Sequence, residues 1–348
     1  MSTVSKVLNG GTDVAPATRE AVQRLLTEMG YQRPRASRRV SRGNLVDLLI
    51  NEIDSAWAMA LVGGVEEVVD DAGFSLVLTA AHHRAPVVSR WFESLLDRGS
   101  LGAVVVHSDL TDEQQAELLR RGMPFVLCDP PVELSRVPEQ IPAVGLANTE
   151  GARMATAHLI ELGHTRIAAI GGPQRVASAR ARLAGYRQAL ADAGIPFDPA
   201  LVRSGKFQSE TGIAAVEELL RLSELPTAIL AGNDQQATGV LATLRRYQVA
   251  VPEQVSVVGF DDQDFCSWTN PGLTTVRQPL GEMGVTAARM LLDLVAGRRL
   301  SEMRVELPAS LVVRASTGPG KQFRKPLTSR KQNSYVSDAG RLLATGHG

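Results

Sequence analysis

From Asn44 onward, short apolar runs alternate with helical stretches, and the alternation, once complete, starts again. Leu45 to Ile50 is a nearly continuous apolar run, the pattern of a parallel strand buried on both faces. A helix is predicted from Trp57 to Val69, a strand from Phe74 to Thr79, and then a helix carrying Trp91, Phe92 and Leu95. A strand from Gly102 to His107, a helix from Asp112 to Arg121 and a strand from Pro124 to Cys128 close the first series. The second opens with a strand from Ala143 to Leu146 and a helix from Thr149 to Leu162 that Gly163 ends. It continues through a strand from Arg166 to Ile170 and helices from Ala177 to Ala193 and from Ser209 to Leu222. A strand from Pro226 to Leu230, a helix from Ala237 to Tyr247 and a strand from Val255 to Gly259 follow. Such alternation implies βαβ units and a parallel sheet; two series imply an α/β protein of two doubly wound parallel-sheet lobes. A last helix from Leu280 to Ala296, followed by strand-like runs Arg304 to Leu307 and Ala309 to Arg314, implies that the chain crosses back between lobes.

The segment before Asn44 has a different character. Val22, Leu25, Leu26 and Met29 recur at helical spacing, with Pro16 suited to a first turn and Gly30 to the position past the end. Thr3 to Leu8 reads as a short helical piece that stops at Asn9, Gly10 and Gly11. Residues 1–42 carry eight basic side chains against three acidic ones in a chain that is formally neutral overall. A basic end on a neutral protein is an electrostatic footprint for phosphate. The tail from Gly318 to Gly348 is basic too, with six cations against Asp338; it lacks periodicity and reads as disordered.

Several classes are disfavoured. No apolar run reaches the roughly 18 residues of a membrane span, and the start lacks the charged and apolar regions of a secretory signal. Cys128 and Cys266 stand far apart and read as small core residues, which fits a cytoplasmic protein. The nucleophile-elbow, phosphate-loop and zinc-protease motifs are all missing, and Ile170 to Pro173 lacks the further glycines of a dinucleotide loop. His82 and His83 have no third ligand at suitable spacing, so a solvated loop is the better reading and neither metal nor cofactor is expected.

The run TVSKVLNG from Thr3 to Gly10, then Thr18, Arg19, Glu20, Val22 and Met29 to Tyr31, and the arm ending SRRV resemble the LacI family of transcriptional regulators. The resemblance extends through HLIELGHTRIAAIGGP (His158 to Pro173), SARARLAGYRQAL (Ser178 to Leu190) and PTAILAGNDQQATGVL (Pro226 to Leu241). VPEQVSVVGFDD (Val251 to Asp262) and PGLTTVRQPLGEMG (Pro271 to Gly284) carry it further, to about residue 317. It implies a type I periplasmic-binding-protein-like effector domain over 44–317, behind a partial all-α helix-turn-helix headpiece (1–31) and a basic hinge (32–43). The N-lobe would comprise about 44–145 and 278–305, and the C-lobe about 146–277 and 306–317, with 318–348 as the tail. The family's first helix, roughly 16 residues with its turn, would lie before Met1.

Candidate site residues follow from combining both readings. In open parallel sheets, functional groups sit at the carboxyl ends of strands, and Asp54, His107, Asp129, Asn233, Asp234, Asp261 and Asp262 all fall there. Arg182 and Asp261 match effector-contacting positions, where a guanidinium fork and a carboxylate can hold adjacent hydroxyls of a sugar; a structural ion pair is the plainer alternative. Asn233 matches a ligand-side position, or caps a turn. Trp57 and Phe207 could stack on a sugar or a base, or pack in a core; His107 and Asp129 are weighted lower. For DNA, the resemblance assigns Ser2, Thr3 and Lys6 to the recognition helix, Thr18 and Arg19 to phosphate contacts, and Arg35, Arg38 and Arg39 to the hinge. Val40 takes the position of a minor-groove wedge where leucine is usual.

The expected function is a ligand-responsive, non-enzymatic repressor that binds operator DNA as a homodimer. A sugar or glycoside inducer in the cleft between lobes would release it. Alternatives are a purine- or nucleoside-responsive regulator, or a solute-binding or sensing module without DNA binding.

Overall fold

The computed structural model of the 348-residue chain describes residues 15–28, 44–107 and 110–320. The expected helical piece from Thr3 to Leu8, and with it Ser2, Thr3 and Lys6, lies outside the described residues. So do Arg35, Arg38, Arg39 and Val40, and the tail beyond residue 320. Helix α1, Pro16–Glu28, forms where the spacing predicts it and begins on the proline. Leu25, on its predicted apolar stripe, is 56% exposed rather than buried. An amphipathic helix buries its stripe only against a second element.

Beyond it the chain runs β1 (Leu45–Ile50), α2 (Ala56–Asp71), β2 (Ser75–Ala80), α3 (Ala85–Arg98), β3 (Gly102–Val106), α4 (Asp112–Arg120), β4 (Phe125–Cys128) and β5 (Ala143–Leu146). There follow α5 (Asn148–Glu161), β6 (Ile167–Gly171), α6 (Ala177–Asp192), β7 (Val202–Ser204), α7 (Ser209–Leu219), β8 (Ala228–Ala231) and α8 (Asp234–Arg246). The remainder is β9 (Ser256–Asp261), β10 (Thr274–Arg277), α9 (Leu280–Val295), β11 (Arg304–Leu307) and β12 (Ser310–Val312). These elements form two compact units: one runs to Gly145 and takes up Leu280–Glu306, and the other comprises Leu146–Pro279 and the chain from Leu307.

The first unit is built on a sheet of order β11-β5-β4-β3-β1-β2. Strand β1 lies parallel to both neighbours, with Leu48 opposite Leu78 and Val104. On one face Trp91 and Leu95 of α3 and Leu118 of α4 pack against Leu49, Val105 and Phe125. Elsewhere in the unit α2 and α9 meet backbone to backbone: a Cβ at Gly64 would stand 2.1 Å from the carbonyl oxygen of Gly281, and one at Gly284 2.3 Å from that of Leu61. Asp47 interrupts the apolar run of β1 and is wholly buried. It accepts hydrogen bonds from Trp91 Nε1 at 3.1 Å and from Arg98. Desolvation raises its pKa, while Ser100, Arg98 and Trp91 pull it back.

The second unit carries a sheet of order β12-β10-β9-β8-β6-β7. Val216, Leu219, Val240 and Leu244 of α7 and α8 cover one face, and Ala155, Leu159, Tyr186 and Leu190 of α5 and α6 cover the other. Three features depart from the sequence reading. Strand β10, not predicted, is a four-residue TTVR segment too short and polar to read as a buried strand. Strand β12 is antiparallel to β10, although the other paired strands of this sheet are parallel. Helix α8 begins at Asp234 instead of Ala237, because Asn233 caps it and draws the first turn forward.

Residues 315–320 lace across the amino ends of β9 and β10. Ser316 Oγ accepts from Thr274 N at 2.8 Å and donates to Val257 O at 2.6 Å, and Gly318 N donates to Ser256 Oγ at 3.0 Å. His164 Nε2 stands 3.0 Å from Gly318 O, and a carbonyl can only accept, so that nitrogen carries the proton. Burial lowers the His164 pKa, against the hydrogen bond to Gly318 that raises it.

Candidate functional site

Parallel strands bring their carboxyl ends to one edge of each sheet, and that edge is where the backbone is strained. Seven described non-glycine residues have positive φ; six of them, His82, His83, His107, Asp129, Asp261 and Asp262, follow or end β2, β3, β4 and β9. Residues other than glycine reach this region at a cost and concentrate at functional sites.

In the second unit Arg182, on the first turns of α6, is the centre. Its Nε donates to Asn148 Oδ1 at 2.9 Å, and one terminal nitrogen donates to the carbonyl of Gly232. The guanidinium carbon lies 3.8 Å from the centre of the Phe260 ring and 5.4 Å from that of Phe207, within cation–π range. Arg182 NH1 and Asp261 Oδ1 are 3.5 Å apart, an ion pair with a buried carboxylate. Gln278 Nε2 donates to Asp261 Oδ1 at 2.8 Å, and Gln263 Nε2 lies 3.5 Å from Oδ2. The buried amide oxygens of both glutamines lack a protein partner.

Phe207 rests against glycines: a Cβ at Gly172 would come within 2.2 Å of its ring, so only glycine fits beneath it. Behind Arg182 a cavity of about 20 Å³, lined also by Gly172, Gly232 and Phe260, has room for a water at most. Asn233 is occupied structurally, its Oδ1 accepting from Gln236 N at 2.9 Å and its Nδ2 donating to Phe207 O at 3.2 Å. Asp234 is wholly buried and accepts from Thr275 Oγ1 at 2.6 Å and from Gln263 N at 2.9 Å, which fixes the loop after β9. Desolvation pushes its pKa up to about 6 against those hydrogen bonds. Asp262 takes Arg277 Nε at 2.6 Å and Arg314 at 2.7 Å.

In the first unit Trp57 meets the His107 ring edge-on, with centroids 6.5 Å apart. His107 Nδ1 lies 3.4 Å from Asp129 Oδ2, and Asn51 Nδ2 donates to the backbone carbonyl of His107. Trp57, His107 and Asp129 therefore form one cluster, while Arg182, Asp261, Phe207 and Asn233 form another. Thr18 and Arg19 lie on the first turn of α1. Asn148, Gln263 and Gln278 were missed from sequence; Gln278 follows β10, and an unrecognised strand has no recognisable carboxyl end. Among the described residues there is no group of His, Cys, Asp and Glu that could hold a metal ion, and no helix is long and apolar enough to cross a membrane.

Two doubly wound units with polar, strained strand ends define a ligand-binding domain of the periplasmic-binding-protein-like kind, and residues 156–317 match that domain family directly. The chain is 36% identical to the HTH-type transcriptional regulator CelR of Thermobifida fusca, over 90% of this chain and 94% of that one. It is 30% identical to the HTH-type transcriptional repressor CytR of Escherichia coli, over 91% and 92%. The solved CelR–cellobiose complex superposes with a TM-score of 0.71 at 35% identity, covering 90% of this chain and 95% of that one. A lac repressor dimer bound to operator and the anti-inducer ONPF gives 0.71 at 27% identity, covering 91% and 94%. The chain belongs to the LacI family and is a transcriptional regulator, not an enzyme.

Proposed function

We propose that the protein is a cytoplasmic, sugar-responsive repressor that binds operator DNA as a homodimer and releases it when a sugar or glycoside occupies the strand-end site. Residues 1–31 would serve as headpiece and 32–43 as hinge, with the effector domain over 44–317. The observation that carries the reading is the Arg182–Asp261 pair at 3.5 Å, an aligned donor and acceptor set on aromatic rings at a strained strand end. A forked cation beside a carboxylate suits vicinal hydroxyls, each of which both donates and accepts. The relative named for its cellobiose complex supports the same class. An effector releases operator only if it binds the operator-free state more tightly, so two equilibria are linked.

The test is a melting-temperature panel of cellobiose, maltose, ribose, adenosine and cytidine, followed by operator binding with and without any hit. A shift with a sugar, together with weaker operator binding, is expected. A shift with nucleosides alone would replace the sugar reading.

A further inference from the structure

We infer that Gln236 is the positioning residue of the strand-end site in the second unit, its buried amide holding Phe207 and the Gly232 carbonyl in place from behind. The inference rests on the reading of that site as an effector site. Gln236 is the third residue of α8 and is wholly buried, whereas its neighbour Gln235 is half-buried. Its Oε1 accepts from Gly232 N at 2.9 Å, and its Nε2 donates to Lys206 O at 2.9 Å and to Gly171 O at 3.2 Å. These partners fix which end of the amide is oxygen, because an N–H can only donate and a carbonyl can only accept. Both amide hydrogens are thereby used, on carbonyls of two separate segments: Gly171 ends β6, and Lys206 lies in the loop after β7. One side chain ties both to the residue that follows β8.

Capping α8 does not require this reach. Asn233 Oδ1 already accepts from Gln236 N at 2.9 Å, and a glutamine at this position ordinarily returns to the backbone N–H of the cap itself. Here the amide passes the cap and takes the N–H of Gly232, one residue earlier, whose carbonyl accepts from Arg182. The first turn of α8 also grips Phe207 on both sides: Gln236 holds the carbonyl of Lys206 before it, and Asn233 Nδ2 donates to the carbonyl of Phe207 at 3.2 Å. The half-buried ring is thereby kept against the glycines, where a Cβ at Gly232 would stand 3.3 Å from it. An apolar side chain in place of Gln236 would take that partner from the Gly232 N–H and the Lys206 carbonyl, and the loop would shift to satisfy them.

The experiment takes the full chain as wild type, Gln236→Met, Gln236→Glu and Leu244→Ala. It reads backbone hydrogen exchange over residues 203–208 without ligand, and calorimetric titration with cellobiose, maltose and ribose. Leu244→Ala removes core packing near the far end of the same helix and controls for lost stability. Q236M should speed exchange over that segment and weaken sugar binding about tenfold, the scale of one buried polar group left without its partner. L244A should do neither at a temperature where both variants are folded. Q236E supplies a readout that packing alone would not move. Burial raises the pKa of a carboxyl; protonated, it offers an O–H to the Lys206 carbonyl and an acceptor to the Gly232 N–H, and ionised it offers no donor. Relative to wild type at each pH, its sugar affinity should approach the wild-type value at about pH 5 and fall as the pH rises to about 8. Wild-type exchange in Q236M overturns the inference, and so does a loss of affinity no greater than that of L244A or a flat pH profile in Q236E. Should Q236M fail to fold, the exchange and pH profile of Q236E decide. If wild type binds no sugar, the sugar reading fails, and the exchange result still decides for or against Gln236.

Discussion

Arg182 and Asp261 approach to 3.5 Å, yet each is held by other partners, Arg182 by Asn148 and Gly232 and Asp261 by Gln278. The pair is thus positioned from behind and does not depend on its own contact. Replacing Arg182 with alanine should abolish the melting shift caused by an effector and lower apo stability by about 3 kcal/mol, because a buried carboxylate loses its counter-charge. Lysine should not restore binding, since it lacks the fork. Calorimetry on both variants checks this, and wild-type affinity in R182A would defeat the assignment.

Asn148 acts through Arg182. Asn148→Ala should raise the effector dissociation constant about tenfold while leaving operator affinity without effector unchanged. Titration of operator release against effector concentration reads the difference.

Close helix crossings should resist even a methyl group. A Cβ at Gly239 would stand 2.0 Å from Ser209 O and one at Gly185 2.0 Å from Thr149 O, both backbone atoms. Gly185→Ala and Gly239→Ala should each cost about 2 kcal/mol in urea unfolding. Gly63→Ala, with nothing near its Cβ, should be neutral or stabilising.

Asp234 gives a pH signature of known sign. Its folded pKa, about 6, lies above the ordinary carboxyl value of 3.8, so between those values the folded state holds the extra proton. Its contribution to stability therefore falls as pH rises through that window. The stability of wild type minus that of Asp234→Asn should fall from pH 4 to pH 6 and then level off. A rise of wild-type stability relative to the variant over that range would contradict the shift.

Cys128 and Cys266 are buried free thiols whose pKa values burial raises. Both should be inert to a thiol reagent in the native protein and react after denaturation.

The fold was legible because the inner strands β1, β3, β4, β5, β6, β8 and β9 are short, largely apolar buried runs, with the longer helices between them, whereas β2, β7, β11 and β12 are only partly buried. Strand β10 was not, because TTVR owes its place to pairing with β9 and β12, which are distant in sequence. The same limit governs the site. Arg182 and Asp261 sit in motifs of the LacI family and could be named, whereas Asn148, Gln263 and Gln278 gain their roles only by touching those two. Asn233 illustrates the reverse: a polar residue at a strand end matches a ligand position, yet its side chain caps a helix and holds a neighbouring loop. Asp47, hidden in an apolar run, finds Trp91 and Arg98 from a helix more than forty residues away.

The packing of α9 on α2, glycine against carbonyl, sets an order of events during synthesis. The first unit runs to Gly145, but the helix that meets Gly64 starts at Leu280, after the whole middle of the second unit. At the usual pace of translation the ribosome takes on the order of ten seconds to reach it. Through that interval the nascent first unit presents a bare glycine seam on α2, a surface for chaperones to cover and for neighbouring nascent chains to mistake for their own.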